Sequence, residues 1–325
     1  MVSPQSRGIL CLLQNKEHAR QAENDCGNAA TGDWLREDTT VSIARFLSDD
    51  HFHRLSADFE FLIKMVQHCG GELELALRGP YFNIYHRGNS LAKVSFSSAE
   101  QYRVEISSTF YSESAVAEDK RFAGCISEGA KGRATLNLPA DLLRAFFQKR
   151  YLDDLCSRIK RRNYSEETAV EQMLICDNRN REDFIIIDRQ VAFPGRRDVR
   201  MDLLALRQVE PGANRYQFEI IEVKLGNNPD LRGNVAEQLD RYVQHVMKEH
   251  HAYKACYERQ YEQKVALGLI CDPPFEQIEI TKEVTGVLVV TGYGGIAQPV
   301  LIELAHDHPR LQIIPLSLSL PSISR

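Results

Sequence analysis

Apolar residues recur at two different spacings along this chain, and each change of spacing marks a new structural element. Between Thr39 and Cys69 the apolar positions follow helical spacing, and Gly70-Gly71 ends that section. Four segments that alternate apolar and polar residues come next, and turn residues separate the first three. The pattern predicts an antiparallel meander with strands at Glu72–Leu77, Tyr81–Tyr85, Leu91–Phe96 and Tyr102–Ser107.

The second half of the chain switches between helical and strand-like patterns. Helical spacing runs from Pro139 to Arg162 and begins again at Ser165, whose hydroxyl can cap a helix. Three strand-like runs, an amphipathic helix and two buried runs complete the order. This order predicts an α/β fold with a mixed central sheet flanked by helices. Its strands are expected at Phe184–Asp188, Arg200–Leu206, Gln217–Lys224, Val287–Thr291 and Leu311–Leu316.

These patterns predict three parts of the chain. Residues 1–36 are polar and lack a sustained period, which favours a flexible leader. Residues 37–135 form a small α+β domain, and the polar stretch Ser112–Arg133 is expected to be a loop between domains. Residues 136–325 form the larger α/β domain.

Charged residues interrupt one of the apolar strands. Side chains alternate across a strand, so Ile220, Glu222 and Lys224 share one face. Burying such charges is costly unless they pair or bind a metal. The preceding strand carries Asp202, and the turn residues between the two strands predict a hairpin that brings Asp202 close to Glu222.

Two carboxylates and a lysine on neighbouring strands are suited to metal-assisted hydrolysis of a phosphodiester. Carboxylate oxygens are ligands that Mg²⁺ prefers. A bound Mg²⁺ polarises a phosphoryl oxygen and lowers the pKa of a bound water. A lysine beside the metal can orient that water and neutralise developing negative charge.

The combination of Asp202 with Glu222-Val223-Lys224, on two strands after an acidic helix, resembles the PD-(D/E)XK phosphodiesterase superfamily, which has the restriction-endonuclease-like fold. The following helix carries Gln238 and Tyr242, similar to a Gln-x-x-x-Tyr pattern of that superfamily. On the preceding helix Glu171 is the better candidate acid, and Glu167 lies one turn earlier. The resemblance covers residues 140–316, and Met201 stands where the family pattern has proline.

The resemblance implies a Mg²⁺-dependent endonuclease, with Mn²⁺ able to substitute, that acts on DNA in bacterial defence, restriction or repair. Expected metal ligands are Asp202, Glu222, Glu171 and the carbonyl of Val223. Lys224 would act on the attacking water, and Gln238 would orient that water or contact a phosphate. The expected catalytic residues are therefore Glu171, Asp202, Glu222, Lys224 and Gln238. Residues expected to contact nucleic acid are Arg161, Arg162, Arg197, Arg200 and Tyr242.

Charge and cysteine usage place limits on these expectations. The net charge of −5 excludes a protein that coats nucleic acid through overall charge, but Arg144–Arg162 holds seven cations and only two acids. No run is long enough to span a membrane. The eight cysteines are scattered without a CxxC pair, which favours a cytoplasmic protein with free thiols.

The residues leave several functions open beside the leading one. A module that retains the nuclease fold but only binds nucleic acid or a protein is the alternative from another class, and an RNA nuclease is a third. The first 135 residues are expected to recognise substrate, bind a regulator or form a homodimer.

Overall fold

A computed structural model describes residues 43–98, 100–127, 129–162, 165–193 and 196–316, without the side chains of residues 196–199. The predicted leader, residues 1–36, lies outside the described residues. Within the described ranges, no helix has the length and apolarity needed to cross a membrane. The architecture is mixed α/β, with two sheets.

The first sheet has six strands in the order β1-β2-β3-β4-β6-β5, and every neighbouring pair is antiparallel. Its first four strands confirm the predicted meander. The strands are β1 (Leu73–Arg78), β2 (Tyr81–His86), β3 (Asn89–Ser98), β4 (Gln101–Ser107), β5 (Ile126–Ser127) and β6 (Arg133–Pro139).

Helices that precede this sheet in the sequence and helices that follow it pack together in its core. Phe59, at the junction of α1 and α2, packs edge-on against Phe82 and Tyr102, with ring centroids 4.9 and 5.0 Å apart. Leu155 and Ile159 belong to the same apolar cluster. The helices are α1 (Asp49–Asp58), α2 (Glu60–His68), α3 (Ser108–Tyr111), α4 (Ala140–Phe146) and α5 (Lys149–Arg162).

The first core is larger than the sequence pattern predicts. The boundary at residue 136 falls inside β6, and the first core continues through α4 and α5 to Ile159. The prediction that Ser112–Arg133 is an inter-domain loop is wrong. That segment contains β5, which pairs with β6, and Phe122, which is buried in the first core.

The second sheet has five strands in the order β11-β10-β9-β8-β7. Strands β7, β8 and β9 are antiparallel, whereas β10 runs parallel to both β9 and β11, which confirms the predicted mixed sheet. The strands are β7 (Phe184–Phe193), β8 (Arg196–Gln208), β9 (Arg215–Leu225), β10 (Glu279–Thr291) and β11 (Gln312–Leu316).

Helices cover both faces of the second sheet. Val170 and Leu174 of α6 pack with Ile221 and Val223 on one face. Residues of α7 and α8 pack with Phe218 and Ile220 on the other. The helices are α6 (Glu166–Asp177), α7 (Val235–Lys248), α8 (His250–Ala266) and α9 (Gly294–Asp307), and Ser165 caps α6 as predicted.

A buried ionic cluster joins the two sheets. Asp188 of β7 lies 2.7 Å from Arg78 of β1 and 3.3 Å from Arg45, and the hydroxyl of Tyr257 in α8 donates to it at 3.1 Å. Burial alone would raise the pKa of Asp188, but the charges of Arg78 and Arg45 outweigh burial and lower it. The first sheet is therefore attached to the strand at the edge of the second through the buried pair of Arg78 and Asp188.

Candidate active site

The site lies where two antiparallel strands bring acidic side chains together. Leu203 of β8 pairs with Ile221 of β9, so Asp202 and Glu222 occupy the next positions on their strands. The predicted hairpin is thus confirmed. The main-chain N–H of Val223 donates to Oδ2 of Asp202 at 2.9 Å, which fixes that carboxylate against β9.

Glu222 and Lys224 point to the same side of β9 and contact each other. Nζ of Lys224 lies 2.9 Å from Oε1 of Glu222 and 3.7 Å from Oδ2 of Asp230. The Glu222 side chain is 2% exposed. Oε2 of Glu222 is buried, and none of the described residues forms a hydrogen bond with it. One carboxylate oxygen is therefore left with an unfilled bonding position inside the protein.

Burial and mutual repulsion control the charge of these acids. Burial of the carboxyl group raises the pKa of Glu222 to about 8, and the negative charge of Asp202 adds to this shift. Burial likewise raises the pKa of Asp202, although the Val223 N–H and Lys224 act against it. Burial would lower the pKa of Lys224, but the neighbouring carboxylates outweigh it and raise that pKa. The site thus holds two acids that disfavour each other's ionised form, next to a protonated lysine.

The two acids of α6 have different environments. Glu171, the better candidate in the sequence, accepts a hydrogen bond at 2.7 Å from Nη2 of Arg189, which is fully buried. Burial raises the pKa of Glu171 although Arg189 acts in the opposite direction, and the charge of Asp202 adds to the rise. Oε1 of Glu167 accepts from the main-chain N–H of Leu225 at 3.1 Å, directly after Lys224. Both acids therefore border the site, and only Glu171 is bound to an arginine.

Arg189 is a site-bordering residue that the sequence motifs do not identify. Besides Glu171 it binds Gln172 at 2.9 Å and Glu74 of β1 at 3.3 Å. A usable signal is the charged pair Asp188-Arg189 directly after the apolar run Phe184–Ile187, which is the same kind of signal that identifies Glu222 and Lys224.

Gln238 and Tyr242 lie one turn apart on α7, facing β9. Nε2 of Gln238 is 3.0 Å from Oε1 of Glu222 and 2.6 Å from the hydroxyl of Tyr242. That hydroxyl in turn donates to the carbonyl of Arg200 at 3.0 Å. Tyr242 is only 2% exposed, so the structure places it as a support for Gln238 rather than as a surface contact for nucleic acid.

The basic candidates lie in separate places. Arg161 and Arg162 are exposed at the end of α5, which packs on the first sheet, and Arg162 donates to the carbonyl of Thr109 at 2.9 Å. Arg200 is exposed beside Met201 at the start of the acid-bearing part of β8. The side chain of Arg197 lies outside the described residues. Among Arg161, Arg162 and Arg200, the contact that leads to the acid cluster is made by the main chain of Arg200, whose carbonyl accepts from the Tyr242 hydroxyl.

Two carboxylates and one main-chain carbonyl are the oxygen ligands that β8 and β9 can offer a cation. In the described part of the chain, no three His, Cys, Asp or Glu side chains have the arrangement of a complete metal site. A cation held between these strands would therefore need the carbonyl of Val223 and water as further ligands.

Comparisons of the chain with protein-family models, with curated proteins and with solved structures find no match.

Proposed function

We propose that this protein is a metal-dependent nuclease that hydrolyses phosphodiester bonds of DNA. The observation that supports it most directly is the juxtaposition of Asp202, Glu222 and Lys224, with Lys224 only 2.9 Å from Glu222. The element order from α6 through β7, β8, β9 and α7 to β10 resembles the restriction-endonuclease-like core. A helix, three antiparallel strands, helices and a parallel strand follow one another in that core.

The residues present fit a divalent cation. Oε2 of Glu222 is a buried carboxylate oxygen without a hydrogen-bond partner among the described residues, and a cation would satisfy it. Asp202, Glu222 and the carbonyl of Val223 would hold Mg²⁺ or Mn²⁺, with an acid of α6, Glu167 or Glu171, as a further ligand or a ligand through water. When bound, such an ion polarises a phosphoryl oxygen and lowers the pKa of a bound water.

The chain's own residues have separate tasks in this proposal. Lys224 supplies a fixed positive charge that stabilises negative charge developing on the phosphate, and it can orient the attacking water. The Val223 N–H fixes the Asp202 carboxylate. Gln238 holds Oε1 of Glu222, which leaves Oε2 directed to its unfilled position. Because these groups are set by strand and helix packing, little rearrangement is needed when substrate binds.

One observation favours the second candidate, a module that binds without turnover. Lys224 forms ion pairs with both Glu222 and Asp230, and a stable pair of this kind would occupy the place of a cation. This candidate predicts nucleic-acid binding that is independent of divalent metal. It also predicts that substitutions at Asp202 leave binding unchanged.

A cleavage panel separates the candidates. The full chain, freed of metal with a chelator, is incubated with supercoiled DNA, linear duplex, single-stranded DNA and RNA, with and without Mg²⁺ or Mn²⁺. We expect metal-dependent cutting of DNA by the wild type and none by Glu222→Gln. Preferential cutting of RNA would reassign the substrate. Binding without cutting in every metal would support the inert module and contradict the nuclease.

A further inference from the structure

The tight turn between β2 and β3 lies against the first turns of α6. Arg87 and Gly88 both have positive φ angles, 46° and 73°, as hairpin turns of this length require. A Cβ atom at Gly88 would overlap Cγ2 of Thr168 and would lie 2.8 Å from Nη2 of Arg189. The turn therefore packs so closely on α6 that only glycine fits at this position.

This turn borders the proposed catalytic site. Thr168 follows Glu167, whose carboxylate accepts the N–H of Leu225 next to Lys224. Arg189, the other neighbour of Gly88, donates to Glu171. Through Thr168 and Arg189 the turn thus lies next to the part of α6 that carries Glu167 and Glu171.

Arg87 projects from this turn as an exposed cation. Its guanidinium forms no ion pair or hydrogen bond with any other described residue. His86 and Lys160 lie nearby, and Oε2 of Glu72 is 3.7 Å from each of them. The Glu72 carboxylate is thus already shared between two other groups. An arginine in the left-handed region is uncommon, and here the packed glycine beside it fixes its backbone.

We propose that Arg87 binds a phosphate of the polynucleotide strand that runs past α6, which makes the first sheet part of the substrate-binding surface. This inference rests on the proposed nuclease function. A guanidinium presents a planar pair of donors that matches two phosphate oxygens, and the rigid turn holds its backbone in place before substrate arrives. The contact positions the strand and carries no sequence preference.

Binding measurements test this role without interference from cutting. In a Glu222→Gln background, fluorescence anisotropy gives the affinity for a labelled DNA duplex over a range of salt concentrations. Arg87→Ala should weaken binding about three- to tenfold and reduce the salt slope by about one, and Arg87→Lys should recover part of the loss. Arg310→Ala, an exposed arginine between α9 and β11, is the matched control and should bind as the background does.

The outcomes distinguish the two proposals. If the wild type cuts DNA and Arg87→Ala binds with unchanged affinity and salt slope, the role of Arg87 is wrong and the nuclease stands. If the wild type neither binds nor cuts DNA, the proposed function is wrong, and the role of Arg87 with it. Circular dichroism of Arg87→Ala should match the wild type, because the side chain is exposed and leaves Gly88 in place.

Discussion

Gln238 of α7 lies 3.0 Å from Glu222 of β9, so that a side-chain amide holds one oxygen of a buried acid. The same nitrogen binds the Tyr242 hydroxyl at 2.6 Å, and Tyr242 is anchored on the main chain of β8. The helix thus reaches both acid-bearing strands through one polar chain. Orientation of the Glu222 carboxyl depends on this chain because Glu222 is otherwise bonded only to Lys224 among the described residues.

Gln238→Ala should therefore impair the site without unfolding the protein. Loss of a residue that orients a metal ligand typically costs about 10–100-fold in metal affinity or activity, and we expect a loss of that size. Mn²⁺ affinity, measured by isothermal titration calorimetry, and the cleavage rate are the readouts. Gln244→Ala, an exposed glutamine on the same helix, is the matched control. Equal effects of the two substitutions would show that Gln238 does not orient Glu222.

The ion pair between Asp188 and Arg78 should dominate the stability of the junction between the sheets. Removing one member of a buried pair leaves the other charge uncompensated, at a cost of roughly 3–5 kcal/mol. Asp188→Asn should lower the free energy of unfolding by about that amount, measured by urea denaturation. Asp183→Asn breaks an exposed pair with Arg181 and should cost less than about 1 kcal/mol. Similar losses for both variants would contradict the importance of burial at Asp188.

His86 should make folding sensitive to mild acid. Burial lowers the pKa of His86, although the carbonyl and carboxylate of Glu72 act in the opposite direction. Its Nε2 is buried and has no hydrogen-bond partner among the described residues. The folded-state pKa lies below the unfolded value of about 6.5, so the contribution of His86 to the free energy of unfolding is fully present above pH values of about 6.5. It is lost as the pH falls through the folded-state pKa.

Urea denaturation of the wild type and of His86→Gln is compared between about pH 7.5 and about pH 5, which bracket the unperturbed histidine pKa of about 6.5. The stability of the variant should depend less on pH than that of the wild type. His53→Gln, at an exposed position of α1, is the control for loss of a histidine. Parallel pH curves for wild type and His86→Gln would contradict a buried neutral imidazole.

The elements are predictable where the pattern is local, and less so where distant segments meet. Alternation in β1 to β4 predicts the meander, and charges in the apolar strand β9 identify Glu222 and Lys224 from the sequence alone. Periodicity shows that α4 and α5 have an apolar face but not which sheet covers it, so the predicted first core is too short. The pairing of Glu171 with Arg189 joins residues 18 positions apart on different elements, which no spacing rule specifies.

The proposed nuclease depends on Lys224 for catalysis, and single-turnover DNA cleavage in Mg²⁺ by Lys224→Met measures that dependence. Lys248→Met, at an exposed lysine on α7, is assayed beside it as the matched control, and calorimetry with Mn²⁺ reports on the acids in both variants. We expect a rate lower by about 10²–10³-fold for Lys224→Met, with Mn²⁺ still bound, and a wild-type rate for the control. Equal metal-dependent cleavage by wild type and Lys224→Met would contradict that dependence.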